Sequence, residues 1–169
     1  MLGDDGVPIR KVPAPLARRF QQICASIIAE ALSGTEIVQL EFAALIFVSD
    51  VPGIEQWRLA EAMGIDRNSA SLLADQLEKK GLVERRVNGA DRRARELYLT
   101  ARGRNAIGKL RPRIRAANER ILAPLSPREQ ALLVDLLVKL IEGNSRHARP
   151  GAGRRKRGSV SPRAQQGGA

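Results

Sequence analysis

Two clusters of polar and basic side chains have the residue types that bind double-stranded DNA. The first cluster consists of Arg67, Asn68, Ser69 and Ser71. Small polar residues and one arginine at the start of a helix can approach base edges in a major groove. The second cluster consists of Arg92, Arg93 and Arg95. Arginine is attracted by the negative potential of a narrow minor groove, so the two clusters together predict contacts to both grooves.

A helix-turn-helix is predicted to position the first cluster. The first helix has apolar residues at helical spacing around Leu59, and Gly64 suits the left-handed position just past its end. Asp66 is a good N-cap for a second helix at 66–80. The buried stripe of this helix is predicted to be Ala70, Leu73, Ala74 and Leu77. Ser69 has an alternative role: together with the Asp66 cap, it could help to pair the free backbone N–H groups at the helix N-terminus instead of contacting DNA.

A two-stranded ribbon is predicted to carry the second cluster. Val83 to Val87 and Leu97 to Leu99 alternate with strand period, and Asn88-Gly89 is a turn signal. Asp91 is expected to brace the loop by pairing with one of the arginines. Lys79 and Lys80 are interpreted either as phosphate contacts or as a solvated helix end. A helix-turn-helix followed by a basic hairpin is a winged helix. The alternative interpretation of the three arginines is that they lie at an ordinary hairpin tip and contact only solvent.

Three further helices are predicted to carry more apolar surface than one subunit can cover. From Leu16 to Ala31 apolar residues recur at spacings of three and four, and Thr100 caps a long helix containing Pro112. Ser126-Pro127-Arg128-Glu129 is a capping box with proline at the first helical position. The helix that follows has an aliphatic stripe made of Leu132, Leu133, Leu136, Leu137, Leu140 and Ile141. This surface predicts a homodimer, and full burial of the first helix within one monomer is the alternative.

Composition favours a polyanionic partner and gives no support to an enzyme. The 169 residues carry a net charge of +11, and Lys79 to Arg104 alone contain nine Lys/Arg against three Asp/Glu. One Cys and one His cannot form an intrachain disulfide or a zinc site, and no cofactor is expected. No phosphate-binding loop, nucleophile elbow or paired buried carboxylates occur. The chain has no apolar run approaching the ~18 residues of a membrane span, and it begins without a signal core. A cytoplasmic location is therefore expected.

Several runs resemble the MarR family of bacterial winged-helix regulators. They are Leu59-Ala60, Leu77-Glu78-Lys79-Lys80-Gly81-Leu82-Val83, Asp91-Arg92-Arg93 and Leu99-Thr100-Ala101-Arg102-Gly103. The resemblance covers roughly residues 15–143 and implies a homodimer, an operator of two half-sites and, often, release by a small aromatic acid. Near the start of the second helix, Glu41-Phe42 stands where the family usually has Gln-Trp or Gln-Tyr.

The resemblance also suggests two further kinds of site. Arg18, Arg19, Phe42 and Trp57 are candidates for a ligand pocket, although the aromatic residues could equally be core and the arginines surface ion pairs. Cys24 lies on the helix where some members of the family sense peroxides, and its alternative is an inert thiol in an apolar face.

These observations predict a mainly α fold with a small β-hairpin wing and a helical dimerisation region. We expect a flexible arm at 1–13, a winged-helix domain at 14–145 and a disordered basic tail at 146–169. Within the domain, dimerisation helices at about 14–33 and 101–143 flank a DNA-binding core at about 37–100. The leading hypothesis is a dimeric repressor that binds a DNA operator and is released by a small effector. The alternatives are a weakly specific architectural DNA-binding protein without ligand control and a redox-sensing repressor based on Cys24.

Overall fold

The chain folds into six helices and a small sheet, and the computed structural model describes residues 11–87 and 94–147. The element order is α1 (Pro13–Leu32), α2 (Gln39–Asp50), β1 (Ile54–Glu55), α3 (Gln56–Met63), α4 (Arg67–Lys79), β2 (Val83–Val87), β3 (Arg95–Leu99), α5 (Ala101–Leu122) and α6 (Pro127–Gly143). A short 3-10 turn at Ser145–His147 follows α6. The predicted fold class, mainly helical with a winged helix-turn-helix, is confirmed.

The sheet has three strands rather than the two that the sequence predicted. β3 lies in the middle of the order β1-β3-β2 and is antiparallel to both neighbours, with Ile54 opposite Leu97 and Val83 opposite Leu99. β1 has only two residues, which is too short for an alternating pattern to be visible in the sequence. This strand joins the chain just before α3 to the wing and thereby fixes the wing base against the helix-turn-helix.

The core lies where α2, α3, α4 and the sheet meet. Leu45, Leu59, Leu77 and Leu97 are fully buried there, one from each of these elements. α2 contributes buried residues on several sides, among them Phe42, Ala44 and Val48. α1 packs along α5, and Arg120 of α5 binds Glu30 of α1 at 2.6 Å. The helix-turn-helix, the sheet, α1 and α5 therefore share one continuous hydrophobic core.

The first turn of α5 lies against the chain between α4 and β2. Thr100 caps the helix by accepting a hydrogen bond from the Gly103 backbone N–H at 3.0 Å. Its hydroxyl donates to the carbonyl of Gly81 at 2.7 Å, and its backbone N–H donates to the carbonyl of Leu82 at 3.1 Å. The Leu-Thr-x-x-Gly run is thus the joint between the sheet and α5, and α5 continues through Pro112 without interruption.

α6 starts at the predicted capping box but contributes nothing to the core of a single chain. The backbone N–H and hydroxyl of Ser126 donate to Glu129 at 2.8 and 2.6 Å. No residue of α6 is buried, and its aliphatic side chains include Leu140 and Ile141, which are 61% and 65% exposed. The predicted stripe is therefore present as an uncovered apolar surface.

Candidate nucleic-acid interface

The turn between α3 and α4 fixes the orientation of the recognition helix, α4. Gly64 has φ 65°, and its backbone N–H closes the end of α3 on the carbonyls of Ala60 and Glu61. Glycine adopts this left-handed conformation without the steric cost that a Cβ would bring. The apolar stripe of α4 is buried as predicted, at Ala70, Leu73, Ala74 and Leu77. The opposite face of α4 consequently points away from the core.

Asp66 caps α4, and Ser69 completes that cap. The Ser69 backbone N–H donates to one carboxylate oxygen of Asp66 at 2.9 Å, and the Ser69 hydroxyl donates to the other at 2.7 Å. These two hydrogen bonds stabilise the ionised carboxylate and lower the pKa of Asp66 below its usual value. Ser69 thus takes the capping role that was its alternative in the sequence analysis.

The exposed face of α4 carries the predicted polar residues and two that the sequence analysis did not name. Arg67, Asn68 and Ser71 are exposed, and so are Leu72 and Gln76. Leu72 is 63% exposed, although a large aliphatic side chain in a helix of a helix-turn-helix would normally pack inward. Steps of four residues from Asn68 reach Leu72 and Gln76, so helical spacing could have identified both. Gln can pair with adenine and an apolar side chain can contact a thymine methyl group.

Lys80 departs from its expected role at the end of α4. Its ammonium donates to both carboxylate oxygens of Glu41 at 2.8 Å and also to the backbone carbonyl of Glu36. Glu41 is only 2% exposed and lies on α2. Lys80 therefore forms an ion pair with a buried carboxylate, although its own side chain is 28% exposed, and a phosphate contact by Lys80 stays a prediction. Lys79, by contrast, is exposed.

Arg85 joins the wing to the recognition helix, a role that the sequence analysis did not identify. From β2 its guanidinium binds Asp75 at 2.5 Å and Glu78 at 3.7 Å, and it donates to the Ser71 carbonyl at 3.2 Å. The side chain is 20% exposed. No local pattern in the sequence indicates this contact, because Asp75 lies ten residues before Arg85 and packing brings the two side chains together.

The wing is described at its base only. Arg95 is exposed at the start of β3, whereas Asp91, Arg92 and Arg93 lie outside the described residues. On β2, Arg86 binds Glu84 at 2.5 Å and stacks on the Tyr98 ring at 4.5 Å from its centroid. The Tyr98 hydroxyl donates to Glu96 at 3.0 Å, which raises the pKa of Tyr98 because ionisation would break this hydrogen bond. Of these contacts, only the stacking of Arg86 on Tyr98 joins β2 to β3, and a cross-strand pair of this kind stabilises the base from which the loop extends.

The four candidate ligand-pocket residues are not brought together. Phe42 is buried and lines a cavity with Ile46 and Ile114, whereas Trp57 lines a different cavity beside Arg67 and Arg95. Trp57 is 44% exposed, stacks with Arg58 at 5.2 Å and donates to Glu55. Arg18 and Arg19 are exposed on α1, and Cys24 is half-buried on the same helix.

The contacts of Arg85 predict a measurable loss of stability when they are removed. We expect Arg85→Met to lower the free energy of unfolding by about 1 kcal/mol, because partly exposed ion pairs and one hydrogen bond contribute modestly. Urea denaturation at a fixed protein concentration would measure this change. Arg86→Met is the comparison, since this arginine loses an ion pair within β2 and its stacking on Tyr98 but no contact with α4. An Arg85→Met variant as stable as the wild type would show that Arg85 does not join the wing to α4.

The fold and the exposed face of α4 define a winged-helix protein of the DNA-binding class. A sequence model of the MarR family matches residues 34–94. A candidate transcriptional regulator for the hcr operon of Thauera aromatica is 30% identical over 146 residues, which cover 86% of this chain and 83% of the relative. The chain belongs to the MarR family of transcriptional regulators.

Solved structures share the same fold. The transcriptional regulator PcaV from Streptomyces coelicolor, in complex with its natural ligand, is 30% identical with a TM-score of 0.75, and the match covers 80% of this chain and 96% of PcaV. MarR from E. coli in its apo form is 24% identical, with a TM-score of 0.67. This match covers 77% of this chain and 98% of MarR. Within residues 11–87 and 94–147, no helix is long and apolar enough to cross a membrane.

Proposed function

We propose that this chain is a dimeric, sequence-specific DNA-binding repressor that a small ligand, an aromatic acid or a close analogue, releases from its operator. The observation that carries the proposal is the exposed polar face at the start of α4, held on a helix-turn-helix whose other face is fully packed. Such a regulator would act in the cytoplasm, where the bacterial chromosome lies.

Each subunit would place α4 in a major groove. Arg67 and Asn68 stand at the N-terminal end of the helix, where side chains of a recognition helix contact base edges. Ser71 is one turn further along the exposed face, and Lys79 at the other end is placed for a phosphate contact. Arg92, Arg93 and Arg95 of the wing would reach the flanking minor groove. Arg95 and Arg67 line one cavity, which supports a continuous DNA-facing surface from helix to wing.

A second copy of the chain would cover the apolar surface of α6. Aliphatic side chains along α6 are at least one-third exposed at Leu132, Val134, Leu136, Leu137, Val138, Leu140 and Ile141. On α1, Leu16 and Ile23 are about half exposed. A continuous apolar face of this extent is unusual on a monomer and typical of an interface. Two-fold pairing would present two α4 helices to a pseudo-palindromic operator.

Ligand control would act through the dimer. PcaV, whose sequence is 30% identical, was solved with its natural ligand, which supports a small-molecule effector for a regulator of this fold. To release the operator, the ligand must bind better to a dimer whose α4 helices do not match the half-site spacing. A ligand with equal affinity for both forms would shift nothing, however tightly it bound.

A selected duplex tests the proposal against sequence-independent binding. A duplex would first be selected from a random pool with the full-length protein, and its affinity compared with that of a scrambled duplex at two salt concentrations. A sequence-specific regulator keeps its preference at the higher salt, whereas an architectural protein loses affinity for both duplexes together.

Substitution of Asn68 by Ala is expected to lower affinity for the selected duplex by roughly tenfold, because a bidentate side chain–base pair contributes about 1–3 kcal/mol of discrimination. Affinity for the scrambled duplex should change little. Arg146→Ala, an exposed substitution beyond α6, is the control. An equal effect of Asn68→Ala on both duplexes, or a monomer in sedimentation velocity at working concentration, would contradict the proposal.

A further inference from the structure

Leu72 places a large apolar side chain on the face of α4 that points away from the core. It is 63% exposed, and among the large apolar residues in the described ranges only Ile141 of α6 is more exposed, at 65%. Successive residues of an α-helix are turned by about 100°, so Leu72 lies roughly 150° around α4 from the middle of its buried stripe. Packing within this chain therefore does not account for a leucine at this position.

The row of side chains that contains Leu72 has an amide one turn before it and another one turn after it. Asn68 and Gln76 are both exposed, and neither side-chain amide has a hydrogen-bond partner within residues 11–87 and 94–147. Residues four positions apart are neighbours on a helix surface, so the three side chains form a line of about 12 Å. Two amides that can pair with a ligand thus stand on either side of one apolar group.

The neighbouring flank of α4 is already occupied by contacts with β2. Arg85 binds Asp75 and Glu78 and donates to the Ser71 carbonyl. Leu72 is turned roughly 90° away from these three residues around the helix axis. The line from Asn68 to Gln76 is consequently the part of the exposed face that is left for an external partner.

The charges around this line favour DNA over a protein as the partner. Arg67 and Lys79 are exposed at the two ends of α4, and Arg67 lines a cavity with Arg95 at the base of the wing. A protein interface needs a contiguous apolar patch of several hundred Å², which one leucine between two amides does not provide. Double-stranded DNA offers an apolar group of matching size, because the C5-methyl of thymine lies on the major-groove edge of the base pair.

We propose that Leu72 determines specificity by packing against the C5-methyl of one thymine in each operator half-site. The amide of Asn68 would pair with the N6 and N7 atoms of an adenine nearby in the same half-site. One helical turn rises about 6 Å and stacked base pairs are ~3.4 Å apart, so the two contacts would lie about two base pairs from each other. The inference rests on the proposed function, since it names the base pairs that the operator must contain.

Replacement of thymine by uracil in the selected duplex tests the contact at a single methyl group. Each thymine of the half-site would be replaced in turn by deoxyuridine, at the equivalent positions of both half-sites. Uracil pairs with adenine as thymine does but lacks the methyl group. For the full-length wild type, we expect one position at which affinity falls roughly fourfold per half-site, which corresponds to about 0.8 kcal/mol for one buried methyl group.

Leu72→Ala is the variant that connects this loss to the leucine. Its affinity for the thymine duplex should fall by a similar factor, and the ratio of its affinities for the thymine and uracil duplexes should approach one. Alanine favours a helix at least as much as leucine, so the urea midpoint of this variant should not fall. Leu72→Met retains an apolar side chain and should restore the discrimination, while Arg146→Ala, beyond α6, should show the wild-type ratio.

Three results would overturn the role of Leu72. One is a selected duplex to which the wild type binds equally well with uracil at every thymine position, or a half-site without an A·T pair. Another is a uracil effect in Leu72→Ala as large as in the wild type, which would assign the methyl contact to another residue or to the stiffness of the DNA. The third is an equal loss of affinity of Leu72→Ala for the selected and the scrambled duplex.

Failure of the proposed function gives a different result in the same experiment. If no preferred duplex can be selected from the random pool, sequence-specific binding is refuted and the inference about Leu72 falls with it. If a preferred duplex is selected and remains insensitive to uracil, the regulator binds a specific sequence and only the contact of Leu72 with a thymine methyl group is refuted.

Discussion

Replacement of Gly103 by alanine is expected to lower the free energy of unfolding by about 3 kcal/mol or more, as severe overpacking does. A Cβ built on Gly103 would lie 2.1 Å from the backbone carbonyl oxygen of Leu82. That oxygen cannot move aside easily, because it accepts hydrogen bonds from both the backbone and the hydroxyl of Thr100. The first turn of α5 would therefore have to move away from Leu82, the residue that precedes β2. This movement would open the joint between the sheet and α5.

Gly108→Ala on the same helix is the matched control for this substitution. A Cβ at Gly108 meets no atom within 4 Å, and the residue is exposed. Alanine there should increase stability by about 0.5–1 kcal/mol, since glycine in a helix interior has unfavourable conformational entropy. Urea denaturation of both variants measures the difference. If Gly103→Ala proved as stable as the wild type, the close approach of α5 to Leu82 would be refuted.

Substitution of Lys80 by methionine is expected to lower the free energy of unfolding by about 3 kcal/mol, because it leaves a buried carboxylate without its cation. Glu41 is 2% exposed, and Lys80 Nζ lies 2.8 Å from both of its carboxylate oxygens. One of these oxygens also accepts the Val38 backbone N–H at 3.0 Å, so Glu41 cannot turn toward solvent without uncapping α2. Methionine is close in volume to the lysine stem, so the charge is the main difference.

Two further variants separate the ion pair from other effects of the Lys80 substitution. Lys79→Met changes the neighbouring exposed lysine and should leave stability within about 0.5 kcal/mol of the wild type. Glu41→Gln added to Lys80→Met should recover much of the lost stability, because the glutamine oxygen can keep the Val38 cap without a buried charge. A Lys80→Met variant no less stable than Lys79→Met would mean that the ion pair is not formed in solution.

Local signals in the sequence predicted most of the fold. The N-caps at Asp66 and Thr100 and the capping box at Ser126 depend on residues within three positions of each other, so they are visible in the sequence. The left-handed Gly64 and the buried stripe of α4 follow from single residues and helical spacing. The strand β1 was missed because two residues carry no period, and its position is set by pairing with β3 more than 40 residues away.

The candidate DNA interface was only partly predictable for the same reason. Arg67, Asn68 and Ser71 follow from the amphipathic pattern of α4, and the exposed Leu72 and Gln76 were within reach of that pattern. The contacts of Lys80 and Arg85 could not be predicted from that pattern, since a run of charged residues near a helix end is usually solvated. Their partners, Glu41 and Asp75, lie 39 and 10 residues away along the chain, and only packing brings them together.

The sequence by itself determined the caps of α4, α5 and α6, the winged-helix class and the polar face at the start of α4, because these depend on periodicity and on neighbouring residues. The tertiary structure alone decided which charges are neutralised and which line a cavity. Whether a lysine contacts solvent or a buried carboxylate depends on long-range packing, and no local pattern encodes that choice. Lys79 and Lys80 show the difference, since both are basic in sequence but only Lys80 binds a buried carboxylate.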